Sequence, residues 1–351
     1  MIEGVSIRRF RGLRQLDVQG FGRVNLIIGK NDCGKTALME ALWLSSDEDV
    51  ADYFVSAQES RITNGDPSNF DRFWLPLFWN QSVDQGLTID TRWLGQRPPL
   101  TIELRKADVP NVRTKHPSGK PRAEQRRPRA GWALELTTSS GGETKTGTIV
   151  SSGTDVSLPP SEMRAHTAWI EASRNITVTD IGLFSKLKQT GRDDLLVEVL
   201  KMIDPQISGV ELLAPNGGDA EVYVRLEPGK LLLPISMMGE GFQRSFELGV
   251  ASVSPELESA FVDEIDNGLH HSVLESLWTW LAKVSAQRQL QIFATTHSEE
   301  CIQAACRAFT AANDDGLRVI RLDRRGEDTV ATVYDRALVE AATQMDVEIR
   351  G

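Results

Sequence analysis

Eight consecutive residues near the start of the chain, Gly29-Lys30-Asn31-Asp32-Cys33-Gly34-Lys35-Thr36, satisfy the pattern G-x-x-x-x-G-K-S/T of a phosphate-binding loop. Each part has a physical task. Glycines reach backbone conformations closed to other residues. A loop curled in this way points several N–H groups, from Asn31 through Gly34, at one cluster of anionic oxygens. Lys35 brings a positive charge to the terminal phosphates, and the Thr36 hydroxyl is a ligand for Mg²⁺. The flanks agree. Val24-Asn25-Leu26-Ile27-Ile28 reads as a buried strand and Ala37-Leu38-Met39-Glu40-Ala41-Leu42 as a helix. The helix start, with its positive dipole end, therefore faces the phosphates.

Composition narrows the setting. At 351 residues, 40% hydrophobic and 25% charged, the chain has ordinary globular proportions and room for a sizeable core. It holds no apolar run of membrane-spanning length, and Met1 to Phe10 lacks the apolar centre of a signal peptide. Cys33, Cys301 and Cys306 fit neither a zinc site nor a disulfide framework. These features predict a cytoplasmic protein in a reducing compartment. Cys33 allows two readings: a thiol activated by the helix start, or a small residue simply tolerated there.

The net charge of −10 argues against a globally basic nucleic-acid binder, but the charge is uneven. Residues 105–130 carry nine Lys/Arg against Asp108 and Glu124, a local +7 that leaves −17 for the remainder. Pro110, Pro117, Pro121 and Pro128 punctuate this stretch. A solvated loop and a phosphate-backbone contact both account for it.

Along the chain, residues 1–45 read as strand, turn, strand, phosphate loop and helix. Residues 46–100, with Trp74, Trp79, Trp93, Pro76, Pro98 and Pro99, read as irregular. A hairpin is predicted from Trp132–Thr137 and Thr146–Val150, followed by a linker over 151–161. Thr167–Ile170 reads as a strand, Leu195–Ile203 as a helix, and Glu221–Leu226 with Leu231–Ile235 as a hairpin. Helices and strands alternate from residue 236, and Arg318–Leu322 with Thr329–Val333 form a last hairpin. The resulting expectation is an α/β nucleotide domain (1–45 and 166–351) interrupted by a mixed helical and β insertion (46–165).

Hydrolysis needs a second, acidic element. Ala260-Phe261-Val262-Asp263-Glu264 supplies a short strand ending in two carboxylates. Asp263 can hold Mg²⁺, and Glu264 can accept a proton from attacking water or orient it. Asp266-Asn267-Gly268 reads as a turn, followed by helical spacing from Val273 to Val284. Leu290 to Thr296 is a strand with His297 at its C-terminal end. Ligands of open α/β sheets sit at such ends, within reach of a γ-phosphate or its attacking water.

This ordered set resembles the ABC-type ATPase head shared by SMC proteins, RecF and the overcoming-lysogenization-defect (OLD) ATPases. The resemblance to the OLD type is carried by Ile7-Arg8-Arg9-Phe10-Arg11-Gly12-Leu13, by the phosphate loop with its preceding strand, and by Glu264-Ile265-Asp266-Asn267-Gly268-Leu269-His270. It covers residues 1–45 and about 166–350. It implies an ABC-type fold with a mixed central sheet, ATP and Mg²⁺ as cofactors, and a homodimer that sandwiches two ATP molecules. It also implies catalytic roles for Lys35, Glu264 and His297 and metal ligation by Thr36 and Asp263. Each site in such a dimer borrows a signature loop from the second copy. Ser236-Met237-Met238-Gly239-Glu240-Gly241-Phe242-Gln243-Arg244 is the candidate, with Ser236, Gly239 and Gly241 toward the γ-phosphate. An ordinary helix cap by Ser236 is the plain alternative. The loop departs from L-S-G-G-Q at Met238; Ile265 and His271 stand where proline is frequent. No glutamine is assigned to the Q-loop.

OLD nucleases carry a Toprim domain after the ATPase, and none is expected in the distance that remains to Gly351. The expectation is therefore a dimeric ATPase that switches a separately encoded effector, such as a nuclease or Toprim-like protein, in bacterial phage defence. A RecF-like DNA-binding ATPase in repair is the alternative.

Overall fold

The computed structural model describes residues 1–47, 50–59, 61–62, 65–108, 131–151, 155–160, 166–172, 176–229 and 231–338. The basic stretch 105–130 lies mostly outside the described residues. In chain order the elements begin with β1 (Ile2–Phe10), β2 (Leu13–Gln19), β3 (Val24–Gly29), α1 (Lys35–Leu44), α2 (Ala51–Glu59) and α3 (Phe70–Phe73). Next come β4 (Leu87–Trp93), β5 (Leu100–Ala107), β6 (Ala133–Ser140), β7 (Glu143–Ser151), β8 (Val156–Ser157) and β9 (Thr167–Ile170). Then follow α4 (Val178–Thr190), α5 (Asp194–Ile203), β10 (Ile207–Leu213), β11 (Glu221–Leu226), β12 (Leu231–Pro234), α6 (Glu240–Val253) and β13 (Ser259–Val262). The chain closes with α7 (His271–Arg288), β14 (Gln291–Thr295), α8 (Glu299–Ala311), β15 (Leu317–Arg325) and β16 (Asp328–Asp335).

Among the described residues these strands make three sheets. The central one has six strands in the order β16-β15-β3-β14-β13-β9. β15, β3, β14, β13 and β9 run parallel, and β16 is antiparallel at one edge. β3 is buried at every position, as a parallel strand covered on both faces must be. Alternation splits its side chains between two cores. Val24, Leu26 and Ile28 join the core with α4–α8, whereas Ile27 joins the core with α1 and the second sheet. On that second face the register pairs Phe293 with Phe261 and Phe261 with Trp169. Their rings form a cross-strand ladder, with centroids 5.3 and 6.0 Å apart, that continues to Trp43 at 5.1 Å.

The second sheet has seven antiparallel strands in the order β2-β1-β4-β5-β6-β7-β8. β4 pairs with β1 through Ile7↔Ile89 and neighbouring positions. The segment 46–165 thus extends the sheet that the chain start begins, and shares its core. Residues 46–100, read from sequence as irregular, contain the regular strand β4 and reach the start of β5. Leu87 and Ile89 in β4, and Leu100, Ile102 and Leu104 in β5, are buried at alternate positions. The surrounding tryptophans and prolines mask that period. Arg14 of β2 is held by Glu327 at 2.9 Å and Asp328 at 2.5 Å, which ties this sheet to the β15–β16 turn. A third sheet, β10-β11-β12, leads into α6.

One buried charge cluster braces α1 against the β1–β2 turn. Glu40, 1% exposed, meets Arg11 at 2.5 Å and Arg61 at 2.6 Å. Burial lowers the Arg11 pKa to about 10 against the opposing pull of Glu40. Removing one partner of a buried pair strands the other charge. Glu40→Ala is expected to cost about 3–5 kcal/mol in urea unfolding, whereas Glu198→Ala, at an exposed pair with Lys283, should cost under about 1 kcal/mol. Equal effects would contradict the bracing role.

Candidate active site

Parallel register brings three strand ends to one edge of the central sheet. Thr295 of β14 pairs with Ile27 of β3, and Ala294 of β14 pairs with Val262 of β13. The phosphate loop after β3, the acidic pair after β13 and His297 after β14 are therefore neighbours by construction.

The loop has the strained backbone that its glycines predict. Gly29 has φ +143°, and a Cβ there would lie 2.5 Å from the Leu322 carbonyl oxygen. Gly34 has φ +98°, with a Cβ position 2.5 Å from Leu13 Cδ2. Gly34 caps α1 and, having no side chain, supplies no hydrogen bond of its own to the first N–H groups of the helix. Asn31 and Asp32 are exposed, Thr36 is half-buried, and the Lys35 side chain is buried. Lys35 Nζ donates to the carbonyls of Gly29 (3.0 Å) and Lys30 (2.9 Å), curling the loop around it. Burial lowers the pKa of Lys35, while the charges of Cys33, Asp263, Glu264 and Asp32 oppose that shift. The acidic pair and the lysine thus share one field.

Cys33 does not become an activated thiol. Its side chain is 3% exposed and burial pushes its pKa up, outweighing the attraction of Lys35. The tolerated-residue reading holds.

The acidic pair is turned out of the strand as its position requires. Asp263 N–H donates to Ile170 of β9 at 2.9 Å, and its carboxylate accepts from Thr295 Oγ1 at 2.6 Å. Glu264 takes the left-handed backbone, φ +50°, which is costly for a residue with a side chain. Its N–H donates to Thr295 Oγ1 at 2.7 Å, and Ile265 N–H donates to the Thr295 carbonyl at 2.9 Å. Thr296 Oγ1 holds Asp266 at 2.5 Å. His297, half-buried, follows directly, and Ser298 then caps α8 by accepting from Cys301 N–H at 3.1 Å.

The candidate signature loop sits beside this turn. Ser236 and Gly239 are exposed. Gly239, not Ser236, is the cap of α6, again without a side-chain hydrogen bond. Gly241 is buried; a Cβ there would lie 2.0 Å from the Gly268 carbonyl oxygen. Its absent side chain serves close packing of α6 against the Asp266–Leu269 turn.

Sequence reasoning assigned no role to two residues that shape the site. Thr295 fastens both carboxylate-bearing residues, and buried Arg244 of α6 donates to the carbonyls of Asp263 and Glu264 (2.8 Å to the latter). Thr295 carries a signal, a hydroxyl in a strand otherwise apolar at its end. Arg244 carries one too, a lone cation on the apolar side of a helix.

A family model described as "AAA domain, putative AbiEii toxin, Type IV TA system" matches residues 24–302. The chain belongs to this family. An ATP/GTP phosphatase of Helicobacter pylori is 19% identical over 333 residues, covering 86% of this chain and 87% of its own. An uncharacterised protein of Methanocaldococcus jannaschii is 34% identical over 101 residues, covering 27% of this chain and 43% of its own. Among solved structures, an SMC head bound to the C-winged helix domain of ScpA aligns with TM-score 0.51 at 12% identity. That alignment covers 98% of this chain and 99% of the other, and the shared feature is the fold. The fold is that of an SMC-like, ABC-type ATPase head.

The residues present suit Mg²⁺. A threonine hydroxyl and a carboxylate are hard oxygen donors of the kind it prefers, with nucleotide oxygens and water completing the shell. Among the described residues no cluster of three or more His, Cys, Asp or Glu offers a competing all-protein cage. Thr36 and Asp263 would hold the ion, which when bound would neutralise phosphate charge. Lys35→Ala is expected to lower affinity for mant-ATP at least 10-fold, because one charge-assisted contact of about 1.5–3 kcal/mol is lost. Unchanged mant-ATP titration would remove Lys35 from the site.

Proposed function

We propose that two copies of this ATPase close around two ATP molecules, and that closure and hydrolysis switch a separate effector protein. The supporting observation is that two helices begin at a glycine cap that offers no side-chain hydrogen bond. That of α1 adjoins the chain's own phosphate loop. That of α6 follows an exposed loop in which Met237 is 72% exposed. A helix start of this kind attracts phosphate, and its exposure suits a nucleotide carried by a second copy. Leu231 and Leu232 on β12, which leads into the loop, are also exposed, an apolar surface of the sort partners cover.

In this reading ATP is bound by the backbone of residues 31–36 with Lys35 on its terminal phosphates. Glu264 takes or orients the proton of attacking water. His297 contacts the γ-phosphate or that water, and the second copy's Ser236–Gly239 loop completes the cradle. The difference in affinity between open and closed forms is what can bias an effector. The family description names a toxin of a toxin–antitoxin system, which supports a two-component switch. A head of this fold has been solved with a bound protein domain, a precedent for the effector. An OLD-like role in phage defence, in the cytoplasm, rests on resemblance. Among the described residues no helix is long and apolar enough to cross a membrane. The DNA-repair alternative depended on a basic stretch mostly outside the described residues and is not carried further.

Glu264→Gln is expected to bind ATP and Mg²⁺, to lose turnover by at least about 100-fold, and to elute as a dimer in light-scattering chromatography with ATP. Lys35→Ala should elute as the nucleotide-free protein does. Wild-type turnover in Glu264→Gln would overturn the role given to that residue.

A further inference from the structure

We infer that Arg244 is a positioning residue that ties the start of α6 to Glu264, so that a phosphate engaging the Ser236–Gly239 loop also sets the hydrolytic group of the chain's own site. The inference rests on the reading of Glu264 as the group that handles attacking water.

Arg244 lies in the second turn of α6 and is 7% exposed. Its guanidinium spans two chain segments at the site edge. Nη1 donates to the Glu171 carbonyl after β9 at 2.5 Å. Nη2 donates to the carbonyls of Asp263 and, at 2.8 Å, Glu264 after β13. A planar fork with fixed donor directions can hold such a set of acceptors, and a lysine cannot reproduce it. Burial lowers the pKa of Arg244, opposed first by Glu247 and then by Asp263, Glu264 and Asp266. The charge thus stays in the field of the acidic site it clasps.

The clasp acts where the backbone is least able to hold itself. Glu264 is kept in a left-handed conformation by tethers on both sides, its carbonyl on Arg244 and its N–H on Thr295. The contact of Gly241 with Gly268 adds a second, rigid link between α6 and the same turn. A displacement of the helix start therefore reaches the Glu264 backbone through packed backbone and one guanidinium, with no flexible segment between. The loop at that helix start is exposed and without a side-chain cap, hence free to receive a phosphate group.

The test is a double-mutant cycle read by kcat and by mant-ATP affinity. Arg244→Met and Arg244→Lys are made in the wild type and in Glu264→Gln. In the wild type, Arg244→Met should lower kcat roughly 10- to 100-fold, with mant-ATP affinity within about 2-fold, and Arg244→Lys should recover part of the rate. In Glu264→Gln, neither change should lower the residual rate further, because a residue acting only through Glu264 has nothing left to position. Losses that multiply across the two backgrounds, or kcat and affinity falling together, would overturn the inference. Should Arg244→Met not fold, Arg244→Lys retains the buried cation and supplies the same cycle. If Glu264→Gln alone keeps wild-type turnover, the parent reading fails instead, a result visible without any Arg244 variant.

Discussion

The parallel hydrogen bonding of β13, β14 and β3 is the constraint on which the rest depends. Side by side and in register, these strands end at one edge. Three short segments far apart in sequence then converge without any long-range element being devoted to the purpose. The aromatic ladder from Phe293 through Phe261 to Trp169 fixes that register from one face, and the alternate side chains of β3 fix it from the other. A one-residue slip would turn every one of these side chains to the wrong core.

Charge is managed by burial and clasping more than by surface pairing. Glu40 holds Arg11 and Arg61 behind the phosphate loop, and Arg244 holds the carbonyls behind the acidic pair. Glu40 is a buried anion and Arg244 a buried cation, and each ties separate segments in one geometry. The exposed pairs, Lys283 with Glu198 and Arg307 with Glu275, contribute little by comparison. The two glycine-capped helix starts, those of α1 and α6, are the complementary feature. One adjoins the phosphate loop and the other an exposed loop, and the closing-dimer proposal rests on the two together.

Much of this was legible in the sequence because the chemistry fixes spacing. Gly29, Gly34 and Lys35 must follow a strand and open a helix, and they do. Asp263, Glu264 and His297 had to stand at strand ends, and the parallel sheet puts them there. What escaped was whatever depends on pairing between distant strands. β4 and β5 have a clear alternation, yet Trp93, Pro98 and Pro99 around them suggest irregularity, and only the partner β1 reveals their role. No local signal says that β4 will hydrogen-bond to β1, or that the segment 46–165 will share the core of the chain start. Arg244 was quoted with the signature loop, but a backbone-carbonyl clasp leaves no pattern in the acceptor residues, since any residue has a carbonyl. Gly241 was read as a phosphate contact, whereas its buried position against Gly268 serves packing, a distinction that only the neighbouring turn can make.

The central claim is that the three strand ends form half of a hydrolytic site which a second copy completes. The most direct measurement is the steady-state ATPase rate per chain as the protein is diluted over several decades of concentration at saturating ATP and Mg²⁺. The account expects the rate per chain to fall in proportion to concentration at the dilute end and to level off where dimers dominate. A rate per chain that stays constant down to concentrations where light scattering shows monomers would contradict it.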